Sequence, residues 1–196
     1  MTWENLNPKG TDLAVPRSEE PTDQSFVQNY RKQYGEPSLK FFKGNLKSAY
    51  EAACNQPDDE KKVLALYLHH SGSVLTNTLC HQVLKNDEVL TTFNNLFIVY
   101  GWDMSNATDA NFFHEQLRNI ISVEAADAAK NLKVEQMPAF LIIGQGTDGR
   151  IPNIAIVHGD YDDDTLQTRL QLEYSLLSGL LGFHMIRHPC RTGRWR

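Results

Sequence analysis

No stretch of this sequence approaches the ~20 consecutive apolar residues that crossing a bilayer requires. Nor does an apolar segment follow a basic one near the N-terminus. The first absence argues against a membrane span, and the second gives no sign of a secretory leader. Cysteine is scarce. Cys54, Cys80 and Cys190 are the three cysteines in 196 residues, an odd number at wide spacing that suits neither a disulfide framework nor a zinc site. The expectation is reduced thiols packed as small apolar groups, in a cytoplasmic or nuclear protein. Basic charge is also in deficit, with 19 Lys and Arg against 24 Asp and Glu for a net charge of −5. Such a chain gains little from counterion release, which sets nucleic acid aside as a primary partner.

What is present suits an ordinary core. Hydrophobic residues make up 41% of the chain, enough for a single domain of this length. Residues 1–24 carry Pro8, Gly10, Pro16 and Pro21 among charges and show no hydrophobic period. They read as a disordered lead-in. Phe26, Val27, Tyr30 and Tyr34 then recur at near-helical spacing up to Gly35 and Pro37, which predicts a short helix docked on the domain proper.

Asn45 is a good cap for a helix through Leu46, Ala49, Tyr50 and Ala53. The run Val63 to Leu68 is continuously apolar and short, as expected of a central strand covered on both faces. A long helix capped near Ser73 should follow, with Val74, Leu75, Leu79 and Val83 as its core stripe. A second strand is expected over Leu96 to Tyr100, then helices over about 108–120 and 123–132. Ala139 to Ile143 and Ile154 to His158 read as two more strands, the first entered through Met137-Pro138. Gly144-Gln145-Gly146 lies between these two apolar runs, so it reads as a hairpin turn and not as a nucleotide loop. Leu166, Leu170, Leu172, Leu176 and Leu177 mark a last amphipathic helix. Asp162, Asp163 and Asp164 stand near its start, where the helix dipole favours negative charge, and the run lacks the EF-hand pattern for calcium. Residues 181–196 break the pattern with Gly182, Pro189 and Gly193 and read as a flexible basic tail.

A βαβ unit requires parallel strands, and a following hairpin adds antiparallel ones. The expected fold class is therefore α/β and thioredoxin-like, a central four-stranded mixed sheet flanked by helices over residues 25–180. Pro138 is the candidate cis proline of such a fold.

That fold poses a chemical question at one place. A thiol–disulfide enzyme needs two thiols at the N-terminus of the helix after the first strand, where the dipole lowers the pKa of the first. Here the corresponding positions hold Ser73 and Thr76. Hydroxyls cannot exchange disulfides, so the redox position is degenerate and no catalytic residue is assigned. Cys80 lies a turn further along, beyond the strongest reach of the dipole. Two alternatives stay open: a divergent redox protein using Cys80 alone, and a lipid-independent protein-interaction adaptor. His69-His70 beside Ser71 and Ser73 lacks the Gly-x-Ser-x-Gly elbow, and adjacent strand residues point to opposite faces, so hydrolysis is set aside. No cofactor and no metal site is expected.

Tyr67-Leu68-His69-His70, with Ser73-Val74-Leu75-Thr76-Asn77 and Cys80 after it, resembles the UAS domain of the Fas-associated factor one family of UBX-domain proteins. So do Phe41-Phe42-x-Gly44-x-Leu46, Trp102-Asp103 and Pro138-x-Phe140-Leu141-Ile142-Ile143. The resemblance spans about residues 26–177. It implies a thioredoxin-like fold without thioredoxin activity. It also implies binding of long-chain unsaturated fatty acids with ligand-promoted self-association into a homo-oligomer. For full-length relatives it implies ubiquitin-pathway partners and the ATPase valosin-containing protein, through domains not read in these residues. A fatty acid needs apolar surface for its tail and cations for its carboxylate. The candidate carboxylate contacts are Arg118, Lys130 and Lys133.

Overall fold

The computed structural model describes residues 23–54, 62–144 and 152–178. The expected lead-in ahead of residue 23, the turn at Gly146 and the tail 181–196 lie outside the described residues. The chain opens with α1 (Asp23–Tyr34). Phe26, Tyr30 and Tyr34 fall four apart and so share one face, and all three are buried. Gly35 ends the helix with φ of +67°, its N–H donating to the Arg31 carbonyl at 2.8 Å. That left-handed conformation is cheap for glycine alone.

In α2 (Leu46–Cys54) the Asn45 Oδ1 accepts the Ser48 N–H at 2.9 Å and satisfies a donor at the helix start. β1 (Val63–His69) is buried at all seven positions, as its continuous apolar run requires. There follow α3 (Val74–His81), α4 (Asp87–Leu96) and β2 (Phe97–Asp103). Then come α5 (Ala107–Ile120), α6 (Val123–Lys130), β3 (Ala139–Gly144), β4 (Asn153–His158) and α7 (Asp163–Leu177).

The sheet order is β2-β1-β3-β4. β1 and β2 run parallel, with Ala65 opposite Val99. β3 is antiparallel to β1, with Leu141 opposite Leu66, and β4 is antiparallel to β3. This is a thioredoxin-like α/β fold with a four-stranded mixed sheet. Strand side chains alternate between faces. Val63, Ala65 and Tyr67 of β1 therefore pack with α1, α3, α4 and α7, whereas Leu64, Leu66 and Leu68 pack with α2, α5 and α6.

Four expectations fail. The long helix expected through Val83 is cut short at His81, ahead of the helical segment that starts at Asp87. A 3-10 turn, Val83–Lys85, lies between the two, and Asn86 caps the second helix by accepting the N–H groups of Glu88 and Val89. Val74, expected in the core, is 86% exposed. The buried face of α3 is set by Thr76, Leu79 and Cys80, at i, i+3 and i+4, which leaves Val74 on the outer side. On α7 the buried line is Leu166, Leu170, Glu173 and Leu177, so Leu172 and Leu176 face solvent. Cys54, expected as a reduced thiol, is disulfide-bonded, with its partner outside the described residues. Cysteine spacing cannot reveal a pairing that the folded chain creates.

Candidate functional site

The N-terminus of α3 is where a dithiol would have to stand. The Ser73 Oγ accepts the Leu75 N–H at 3.2 Å as the helix cap. The same hydroxyl donates to the Met137 carbonyl at 2.5 Å, across 64 residues of sequence. Thr76 is 1% exposed, and its Oγ1 donates to the His70 carbonyl at 2.7 Å. Both hydroxyls are thus engaged by backbone. The Met137–Pro138 bond is cis and leads directly into β3.

Cys80 is the free cysteine among the described residues and is fully buried. Burial pushes its thiol pKa up, and hydrogen bonding from Tyr67 and Tyr30 offsets this only partly. The Tyr67 hydroxyl stands 3.0 Å from the Cys80 Sγ and 3.2 Å from the His69 Nδ1. A thiol held protonated and out of reach is a poor nucleophile. His70, by contrast, is partly exposed, and its Nδ1 accepts the Gly72 N–H at 3.1 Å.

Around this thiol the aromatic face of α1 closes over the end of the sheet. Phe26 meets Phe41 edge-on at 5.3 Å between ring centroids, and Tyr30 meets Tyr67 edge-on at 5.9 Å. Tyr34 lies 5.9 Å from the His69 ring and 5.0 Å from that of His81. Gly101 of β2 makes this approach possible, because a methyl group there would collide with the Phe26 ring. Burial raises the pKa of Tyr30, Tyr34 and Tyr67, that of Tyr34 to about 12. Burial lowers that of His69, against the opposing pull of Asp103. The phenols stay neutral and the buried imidazole resists protonation.

A cavity of about 160 Å³ opens here, between α1 and the C-terminal ends of β1 and β2. Its walls include Phe26, Tyr30, Tyr34, His69, Asp103 and Asp109. Residue spacing placed the α1 aromatics on one face without revealing the cavity beside them. The reason is that β1, β2 and α1 meet only in the folded chain.

The three candidate cations stand elsewhere. Arg118, in the last turn of α5, pairs with Asp127 of α6 at 3.4 Å on the surface. Lys130 ends α6, and its charge helps burial to lower the pKa of His114. Lys133 follows, its N–H donating to the Gln136 Oε1 at 3.0 Å. None of the three lines the cavity under α1. Exposed Val123 and Val134 accompany them on α6 and on the 3-10 turn Val134–Gln136. The Asp162 carboxylate caps α7 through the Thr165 N–H at 2.9 Å, and this hydrogen bond holds its pKa below the usual value. Asp163 accepts from the Asn86 side chain at 2.7 Å. Among the described residues no group of three His, Cys, Asp or Glu is placed to hold a metal ion.

Residues 26–171 match the sequence model of Fas-associated factor 1. The chain belongs to the Fas-associated factor 1 family. It is 30% identical to the FAS-associated factor 1 of Mus musculus over 154 residues, 78% of this chain and 23% of that protein. The Rattus norvegicus protein is 32% identical over 155 residues, again 78% and 23%. UBX domain-containing protein 3 of Caenorhabditis elegans is 24% identical over 107 residues, 53% of this chain and 18% of the other. The chain thus spans about a quarter of the length of its Fas-associated factor 1 relatives. A solved thioredoxin from Thermus thermophilus superposes with a TM-score of 0.48 at 12% identity, covering 76% of this chain and 99% of the other.

Proposed function

We propose that this member of the Fas-associated factor 1 family is a non-enzymatic adaptor domain of the ubiquitin-linked protein-quality-control system, acting in cytoplasm or nucleus. In this reading it binds long-chain unsaturated fatty acids and self-associates on binding them. One observation carries the non-enzymatic part. The two hydroxyls at the redox position, Ser73 and Thr76, are tied to the carbonyls of Met137 and His70, while the nearest thiol is buried and protonated. Family membership and the UBX-domain relative support the ubiquitin-system role. Among the described residues no helix is long and apolar enough to cross a membrane. The exposed valines beside Lys130 and Lys133 support the lipid part, since tail burial contributes about 0.8 kcal/mol per CH₂.

Two measurements test the reading. Size-exclusion chromatography of the full chain should show earlier elution with oleate and none with stearate of equal length. No shift with either acid leaves the lipid-independent adaptor in its place. In an insulin-reduction assay the chain should give no turnover. Turnover that disappears in Cys80→Ala would make it a redox protein instead.

A further inference from the structure

We propose that the cavity under α1 binds an organic cation, an alkyl-guanidinium or alkyl-ammonium group. The walls combine the aromatic rings of Phe26, Tyr30 and Tyr34 with the carboxylates of Asp103 and Asp109, and they contain no lysine or arginine. Aromatic rings and carboxylates together select for cations, because both present negative potential to the ligand. Among the described residues neither Asp103 nor Asp109 takes part in an ion pair. The Asp103 Oδ1 accepts from the N–H and the hydroxyl of Ser105 at 2.9 Å and 2.5 Å. Those bonds orient the carboxylate at the end of β2 and leave its second oxygen for a ligand.

Tyr34 is 5% exposed and adds its ring to the cavity wall, its hydroxyl lying enclosed near the Cys80 thiol. The phenol lies close enough to Asp103 for the carboxylate charge to raise its pKa. A guanidinium offers five donors in a planar fork, enough for Asp103 and Asp109 together. A volume near 160 Å³ admits the head and a few methylenes of such a group, not a lipid tail. The two carboxylates would also repel a fatty-acid headgroup, so this site is independent of the lipid reading above.

The cation has two possible sources, a free small molecule or an arginine side chain of a partner protein. Both can be titrated into the isotopically labelled full chain and followed by the Trp102 indole N–H. That group donates to the Asp109 carbonyl at 3.2 Å and so reports on the wall. Butylguanidinium and the capped peptide Gly-Arg-Gly are the probes, with butylurea and butanoate as neutral and anionic controls. Saturable shifts with either cation, and at least tenfold weaker binding in Asp103→Asn and in Asp109→Asn, are expected. Tighter binding of the peptide assigns the site to a partner's arginine, and tighter binding of butylguanidinium assigns it to a free cation. Circular dichroism establishes that each variant is folded, and Lys130→Glu should bind like the parent chain. The proposal is overturned if neither cation saturates, if butylurea binds equally well, or if both folded Asn variants keep the parent affinity.

Discussion

The Ser73 hydroxyl donates to the Met137 carbonyl at 2.5 Å, joining the N-terminus of α3 to the residue ahead of the cis proline. The same oxygen accepts the Leu75 N–H. One buried side chain therefore caps a helix and ties two distant segments together.

Ser73→Ala removes both bonds at once. Loss of a cap costs about 1 kcal/mol, and an acceptor left dry at Met137 costs about 1–3 kcal/mol. The urea midpoint should fall correspondingly, with an unchanged slope of free energy against urea. A midpoint equal to that of the parent would mean that the Ser73 hydroxyl has no structural role.

Gly101→Ala should loosen α1. The added methyl group meets the Phe26 ring, and it comes within 2.8 Å of a Phe41 ring carbon. Overpacking of this kind costs about 1–3 kcal/mol. Limited proteolysis should cut within α1 faster than in the parent chain, and Phe26→Ala in the same chain should relieve part of the effect. Unchanged cleavage would mean that α1 does not depend on the close approach at Gly101.

Stability should fall on mild acidification through His69. Its folded pKa lies below the ordinary value because burial disfavours the charged ring, with His70 adding to the effect and Asp103 opposing it. The unfolded chain binds a proton near the ordinary pKa of about 6.5, while the folded chain does not until the pH is lower. The stabilisation is complete above the unfolded pKa and is lost as pH falls from there toward the folded pKa. The slope contributed is at most about 1.4 kcal/mol per pH unit. Denaturation at a series of pH values should show that slope diminished in His69→Gln. An equal slope in the variant would remove His69 as its source.

Charge reversal tests the lipid surface. Lys130→Glu with Lys133→Glu should weaken oleate-promoted association, because a carboxylate headgroup would then face like charge. Arg118→Glu should weaken it less, since Asp127 already neutralises Arg118 in the parent. Light scattering against oleate concentration measures both effects. Association as strong as in the parent would take Lys130 and Lys133 out of the account.

Much of the fold was legible because local rules sufficed. The apolar run Val63 to Leu68, short and bounded by polar residues, reads as a covered strand, and Ser73, Asn45 and Asp162 cap helices as their side chains dictate. Val74 escaped this reasoning because helical spacing identifies a stripe of apolar residues without saying which edge of it the sheet covers. Leu172 and Leu176 escaped for the same reason.

The amino-acid sequence by itself determined the order of strands and helices, the hydroxyls at the redox position and the family, because periodicity, capping chemistry and motif are written along the chain. Only the tertiary structure decided that Tyr34, Asp103 and Asp109 border one cavity and that Cys80 is enclosed by Tyr67 and α1. Sheet pairing and helix docking bring together residues tens of positions apart, and the resulting burial and charge proximity belong to the packed state, not to any local stretch of sequence.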